Sequence, residues 1–350
     1  MNRLPVAAAV PQLRSALDEE GAAVLVAPPG SGKTTWVPLQ LLDTVEGKIV
    51  VLEPRRLATR AAARRMASLL GEQVGGTVGY VTRHDRAVGP GTRIEVVTEG
   101  VLTRRLQSEP SLTGVSLVVF DEVHERNLQT DLGLALTLDV RRGLRPDLRM
   151  LLMSATIDAA AFSELLGGAP VVEASAESFP VDVRWDPPPP RTRDLESHVA
   201  RVVRRALGET EGDVLVFLPG MTEIRRVQER LVDVLADVRI LHGSLPPAEQ
   251  DRAIAPSEPP FRKVVLSTDI AESSLTVEGV TAVVDTGLAR APRFDSRTGM
   301  TRLRTVPISR ASADQRAGRA GRRGPGVAYL LWSKREPAAR PPGIAPEITR

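Results

Sequence analysis

The 350-residue chain contains no cysteine, which removes disulfides, thiol nucleophiles and thiolate metal sites. Aromatic residues make up 3% of it, too few for a ladder of rings on which nucleic-acid bases would stack. Lysine is scarce as well: Lys33, Lys48, Lys263 and Lys334 are the four present, so arginine carries nearly all the positive charge. No apolar run approaches the roughly 20 residues that cross a bilayer. The opening MNRLPVAAAVPQLRSALDEEG has its apolar patch broken by Pro5 and Pro11, unlike a signal peptide, so a cytoplasmic location is expected. The four histidines stand far apart without ligand spacing, so any metal should be a hard cation.

What remains is an ordinary globular composition, 42% hydrophobic and 25% charged, long enough for two domains with a core each. The net charge is +3, yet the 46 basic residues are mostly arginine and the pI is about 9.6. That excess reads either as a compositional bias or as a surface for phosphate, whose oxygens match the guanidinium fork. Position has to decide.

Short apolar runs alternate with helical patterns. Strands are expected at 22–27, 48–53, 93–98, 116–121 and 148–155, with helices near 33–42, 57–70, 99–107 and 129–142. Such alternation forms a mainly parallel sheet flanked by helices. At 175–193 the pattern stops in SAESFPVDVRWDPPPPRTR, whose four consecutive prolines suit an extended, stiff connector. It resumes with helices near 194–207 and 221–235 and strands at 213–218, 238–241, 263–268 and 280–285. Two α/β domains are therefore expected, 1–175 and 194–335, with the connector 176–193 between them and a tail, 336–350.

The segment VLVAPPGSGKTTW (24–36) follows the first strand and opens a helix. It meets the phosphate-loop pattern at Gly32-Lys33-Thr34, with Ala27 in place of its first glycine. Glycines at 30 and 32 let the backbone N–H groups of Gly30, Ser31, Gly32, Lys33, Thr34 and Thr35 turn inward at a helix N-terminus, where phosphate binds. Lys33 would reach the β- and γ-phosphates of ATP, and Thr34 would ligate Mg²⁺. A glycine-rich turn with a chance lysine suits the strand-to-helix context poorly.

The run VVFDEVHER (118–126) passes from apolar to charged without a turn residue. Ligands gather at the carboxyl ends of parallel strands, so Asp121 and Glu122 should face the loop of Lys33. Asp121 suits a Mg²⁺ carboxylate and Glu122 a base or water-orienting group, with both joining Thr34 as candidate metal residues. By itself the pair could merely open a capped helix; GSGKT upstream argues otherwise. Further on, Arg316, Arg319 and Arg322 recur every three residues on a helical segment, placing their guanidiniums on one connected surface. Arg56, Arg60 and Arg64 similarly share one face of the helix near 57–70.

Asp121-Glu122-Val123-His124 resembles motif II of the DEAH/RHA group of superfamily 2 helicases, with Val123 where alanine is usual. EPRRLATRAAARRMA (53–67), TEGVLTRRL (98–106), SAT (154–156), LVFLPGMTEI (215–224), LHGSLPPAEQ (241–250), STDIAESSLTVEGV (267–280) and QRAGRAGR (315–322) resemble the other motifs in their family order. The resemblance implies two RecA-like P-loop domains and an ATP-dependent RNA helicase motor. It makes Glu122 catalytic, with Gln315 positioning water and Arg319 and Arg322 on the γ-phosphate. His124 would sense nucleotide state through Gln315, and Ser154 and Thr156 would link hydrolysis to unwinding. Arg65 would stack on adenine.

Single-stranded nucleic acid, RNA favoured over DNA, is the implied partner, and no membrane is. Arg55, Arg56, Arg83, Thr98, Glu99 and Gly100 match the family's nucleic-acid path in the first half, and Gly220, Ser244 and Thr268 in the second. Backbone-directed, salt-dependent binding should follow. Residues 289–306 resemble the family's strand-separating hairpin, with a turn at Thr298-Gly299. The tail 336–350 is expected to lead toward a winged-helix region. Asp269 departs from the family's asparagine, and Glu177 stands where arginine is usual, so no ligand role is carried over to it. A DNA-directed translocase and a nucleotide-gated scaffold without hydrolysis remain the competing readings. Ile254 stands where the family's eukaryotic members place an aromatic over the base, so the resemblance implies weak discrimination, and turnover of ATP, GTP, CTP and UTP should be comparable in a steady-state assay; strict use of ATP would refute this.

Overall fold

The computed structural model describes residues 4–155, 159–175, 179–189, 194–257, 261–273, 275, 277–322, 324–336, 340–343 and 346–349. The chain divides into two compact units, Met1–Glu177 with Ala345–Arg350, and Ser178–Ile344. Each is mainly a parallel sheet flanked by helices, as the alternation of apolar runs requires.

In the first unit the strands are β1 (Ala22–Val26), β2 (Lys48–Glu53), β3 (Val78–Val81), β4 (Arg86–Ala87), β5 (Ile94–Thr98), β6 (Val115–Phe120), β7 (Arg149–Ser154) and β8 (Val171–Glu173). Their order is β4-β3-β5-β2-β6-β7-β1-β8, and only β3–β4 is antiparallel. The helices are α1 (Val10–Glu19), α2 (Lys33–Gln40), α3 (Arg56–Leu69), α4 (Glu99–Ser108), α5 (Leu128–Gly143) and α6 (Ala159–Leu165). Because side chains alternate across a strand, the sheet serves two cores. Ala23, Leu25, Ile49, Val51, Val119 and Met153 pack under α1–α3, while Val24, Val50, Leu52, Phe120 and Leu152 pack under α4–α6. Burial on both faces explains why these strands read as unbroken apolar runs.

The second unit comprises β9 (Val181–Trp185), α7 (Leu195–Glu209), β10 (Asp213–Phe217), α8 (Met221–Glu229), β11 (Ala236–Leu241), α9 (Pro247–Ile254), β12 (Arg262–Ser267), β13 (Val280–Asp285), β14 (Leu288–Asp295), β15 (Met300–Pro307), α10 (Arg310–Ala317) and β16 (Gly326–Leu330). Its main sheet runs β11-β12-β10-β13-β16-β9, all parallel. The hairpin β14–β15 pairs separately, around Gly299 in the left-handed region.

Four expectations need correction. Residues 181–185, expected within a connector, form β9 on the edge of the second sheet. Val-Asp-Val-Arg-Trp alternates apolar and polar residues in sequence and lies half-exposed on the sheet's edge, and the neighbouring prolines obscured it. The tail does not simply lead away, for Glu347–Thr349 packs on the first unit, where the Glu347 N–H donates to the Arg126 carbonyl at 3.0 Å. The arginine stripe on α3 is broken, since Arg60 is buried between exposed Arg56 and Arg64. Arg316 and Arg319 are buried rather than displayed.

The turn Gly318–Gly321 is seated directly on β16: a Cβ on Gly326 would collide with the Ala320 carbonyl. Gly326→Ala should therefore cost about 1–3 kcal/mol of overpacking, read as a lowered midpoint in urea unfolding.

Candidate nucleotide site

The loop after β1 is shaped by two glycines that lie in the left-handed region, Gly30 at φ 83° and Gly32 at φ 95°. At Gly32 a Cβ would also meet Leu4 Cδ1 at 2.8 Å. The Ala27 N–H donates to the Ser154 carbonyl at 3.0 Å, fixing the loop's departure from the sheet. Helix α2 then opens at Lys33, so its free N–H groups surround the loop. Ser31 is fully buried, and its hydroxyl has no hydrogen-bond partner among the described residues. An orphaned buried hydroxyl inside a curl of N–H groups fits a phosphate-bearing ligand.

Lys33 Nζ lies 3.1 Å from Glu122 Oε1 and 3.2 Å from Oε2, with both side chains almost fully buried. Thr34 donates its hydroxyl to Asp121 Oδ2, and Asp121 Oδ1 accepts the Glu122 N–H at 2.8 Å. Glu122 has φ 54° and Arg126 φ 52°, so the short turn Val123–Glu125 is bracketed by two non-glycine residues in a strained conformation. His124 Nδ1 accepts the Ala155 N–H at 3.3 Å and stands 3.4 Å from Glu122 Oε2. Thr156 lies outside the described residues, as does Glu177.

A third carboxyl, missed in the sequence, completes the cluster. Glu53 ends β2 as Asp121 follows β6, and it is fully buried. Neither of its oxygens meets hydrogen-bond geometry with a described group. Burial first, then the charges of Asp121 and Glu122, raise the Glu53 carboxyl well above the ordinary glutamate range. Asp121 is raised by the same burial and by Glu122. Burial works against the Lys33 ammonium, but Glu122 and Asp121 outweigh it and raise its pKa. Strand-end position could have identified Glu53 as it identified Asp121. Among the described residues no three His, Cys, Asp or Glu enclose a metal by themselves. Thr34 and Asp121 can still contribute to a Mg²⁺ ion that takes its other ligands from phosphate and water.

Of the remaining candidates in this unit, Arg55, Arg56, Arg83, Thr98, Glu99 and Gly100 lie at or near the carboxyl ends of β2, β3 and β5, while Arg65 lies in the second half of α3. Arg55 is half-buried and pairs with Glu125 at 3.4 Å, while Arg56, Arg65 and Arg83 are exposed. Thr98 precedes α4, where half-buried Glu99 accepts the Thr130 hydroxyl beside exposed Gly100. Thr35 sits in the first turn of α2.

In the second unit, Gln315 lies half-buried on α10. Arg316 is 1% exposed and donates to Glu272 Oε2 at 2.8 Å, Asp285 Oδ1 at 3.1 Å and the Leu288 carbonyl at 3.2 Å. It also lies 4.8 Å from the centre of the Phe217 ring. Arg319 donates to the Glu272 carbonyl at 3.0 Å and to the Leu275 carbonyl, while Arg322 is half-buried. The three-residue spacing missed this because the acceptors stand 31 and 44 residues upstream of Arg316. Gly220 opens α8 against Arg290, which pairs with Glu223 at 3.2 Å. Ser244 is exposed and bonded to His242 at 2.8 Å, and Thr268 is buried after β12.

The sequence pattern of the DEAD/DEAH box helicases matches residues 7–165, and that of the helicase conserved C-terminal domain matches 197–324. Among curated proteins, the chain is 51% identical over 353 residues to the ATP-dependent RNA helicase HrpB of Escherichia coli, covering 99% of this chain and 44% of that protein. It is 36% identical to the probable ATP-dependent RNA helicase DHR2 of Saccharomyces cerevisiae and 37% to the probable ATP-dependent RNA helicase DHX34 of Homo sapiens, each over 99% of this chain. It covers 49% and 32% of those two, so it spans less than half the length of these relatives. The crystal structure of the E. coli DEAH/RHA helicase HrpB superposes with a TM-score of 0.92 at 50% identity, covering 99% of this chain and 45% of that one. A second crystal structure of E. coli HrpB, described as a DExH-box NTPase, gives 0.84 at the same identity, covering 99% and 44%.

Glu53 supplies a test by stability. Its carboxyl keeps a proton in the folded state above 4.5, the ordinary glutamate value, at which the unfolded chain releases it. The folded state then binds more protons than the unfolded one, and stability falls as pH rises through that window. Glu53→Gln should raise the melting temperature of nucleotide-free protein at pH 7, with the gain vanishing below about pH 4. An equal gain at both pH values would contradict this account.

Proposed function

This chain belongs to the DEAD/DEAH box helicases, of the DEAH/RHA group, and from that membership we propose that residues 1–350 act as an ATP-hydrolysing RNA helicase motor core. The observation that carries the proposal is the buried constellation of Lys33, Glu122, Asp121 and Thr34 beneath a glycine-turned loop with an orphaned serine hydroxyl.

Lys33 gives its charge to Glu122 here; with ATP bound, the ammonium would turn to the phosphates and release the Glu122 carboxylate to orient water. Thr34 and Asp121 would hold Mg²⁺, which supplies charge neutralisation on the phosphates. On this reading Glu122, Gln315, Arg319 and Arg322 would be the catalytic groups.

Arg319 would exchange its carbonyl acceptors for the γ-phosphate. His124 and Ser154, adjacent to the Ala27 and Ala155 backbone contacts, would relay nucleotide state. Arg55, Arg56, Arg83, Thr98, Glu99 and Gly100 would contact single-stranded RNA in the first unit, and Gly220, Ser244 and Thr268 in the second. A cytoplasmic location agrees with this role; no helix among the described residues is long and apolar enough to cross a membrane.

Steady-state hydrolysis of ATP with RNA or DNA of equal length provides the test. RNA should stimulate more than DNA, and Glu122→Gln should lower kcat by about 100-fold or more, the range for loss of a positioned base. Full activity in Glu122→Gln would refute the mechanism, and equal stimulation by DNA would favour the translocase reading.

A further inference from the structure

Helix α5 begins without a cap of its own. Asn127 stands at the N-cap position, a place where its side chain ordinarily accepts a backbone N–H of the first turn, but it makes no such bond. Its amide instead donates to Glu125 Oε2 at 3.2 Å, and Glu125 in turn pairs with Arg55 at 3.4 Å.

The missing acceptor comes from 219 residues away. Glu347 Oε2 accepts the Leu128 N–H at 2.8 Å, while the Glu347 N–H donates to the Arg126 carbonyl at 3.0 Å. These two bonds grip both sides of the helix entry. Arg126 is the residue held at φ 52°, and its guanidinium is clamped from the other side by Asp131 at 3.2 Å and by the Phe162 ring at 5.9 Å. A strained residue persists only where its surroundings fix it, and Glu347 is one of those fixings.

We propose that Glu347 is a positioning residue: it caps α5 from 219 residues away, thereby freeing Asn127 to hold Glu125 against Arg55. Its carboxylate also lies close enough to Glu99 to add to the negative charge there, so the capped helix entry borders Arg55 and Glu99 together. Without Glu347, Asn127 would be drawn back to the helix N-terminus, Glu125 would lose one partner, and the Glu125–Arg55 pair would be held less firmly. The positioning role rests on the RNA-motor reading; the cap does not.

The test compares the 350-residue chain with its Glu347→Ala and Glu347→Gln variants by amide hydrogen exchange and by RNA-stimulated ATP hydrolysis. In Glu347→Ala, protection of the Leu128 amide should fall about fivefold, the size of a lost helix cap. The RNA concentration for half-maximal stimulation should rise by a similar factor, with the rate in the absence of RNA unchanged. Glu347→Gln should restore both, because its amide oxygen still accepts from Leu128. Unchanged exchange in Glu347→Ala overturns the cap. Faster exchange with an unchanged half-maximal RNA concentration overturns the positioning role. A wild type that RNA does not stimulate overturns the functional reading and the positioning role with it, and is told apart by the Leu128 exchange, which reports the cap alone.

Discussion

The buried ion pair between Lys33 and Glu122 is the interaction on which the first unit's site depends. One ammonium sits among three carboxyls, those of Glu53, Asp121 and Glu122, at the carboxyl ends of β2 and β6 where water is excluded. Removing one partner from such a pair leaves an uncompensated buried charge and costs about 3–5 kcal/mol. The sheet therefore has to hold Lys33 and Glu122 together, and the adjacency of β6 with β7 and of β7 with β1 does so, while that of β2 with β6 brings Glu53 beside them. The same arrangement carries a surplus of negative charge that Lys33 alone does not neutralise. A site charged this way favours the arrival of a cation, such as the hard metal ion that accompanies a nucleotide.

The second unit solves a related problem with arginine. Arg316 is buried among Glu272, Asp285, the Leu288 carbonyl and the Phe217 ring, so it joins α10 to the segment after β12, to the end of β13 and to the start of the hairpin. Its charge is held fast by two carboxylates, which raise its pKa further still against the effect of burial. Arg340 does similar work at the hairpin's root, donating to the Gly287 and Ile308 carbonyls while lying 4.5 Å from the Trp332 ring centre. Arginine suits both positions because its planar fork satisfies several acceptors at once, which lysine's point charge does not. The arginine excess thus serves in part as internal scaffolding, a use that neither compositional bias nor a phosphate-binding surface describes.

Much of this was legible from the chain alone. Apolar runs flanked by helical patterns marked β1, β2, β5, β6 and β7 to within a residue or two, because strands buried on both faces must be continuously apolar. Strands β3, β4, β8, β9 and β16 were not among those expected; of these β4, β8 and β9 are edges, which need less apolar surface, and β9 lies beside a run of prolines. Glu53 escaped notice for another reason: its place at a strand end was the one signal it offered, and a lone acidic residue there, unlike Asp121-Glu122, carries no spacing to reinforce it.

The local pattern determined the glycine turns, the placement of Lys33 and Thr34 at a helix start, and the position of Asp121 and Glu122 at the end of a strand. Those features follow from backbone sterics and strand or helix periodicity, which act over a few residues. Tertiary structure alone decided which charges meet: Glu53 with Asp121, Arg316 with Glu272 and Asp285, and Glu347 with the entry of α5. Such pairings depend on strand order and on where the chain returns, and no local periodicity encodes a contact that spans 219 residues.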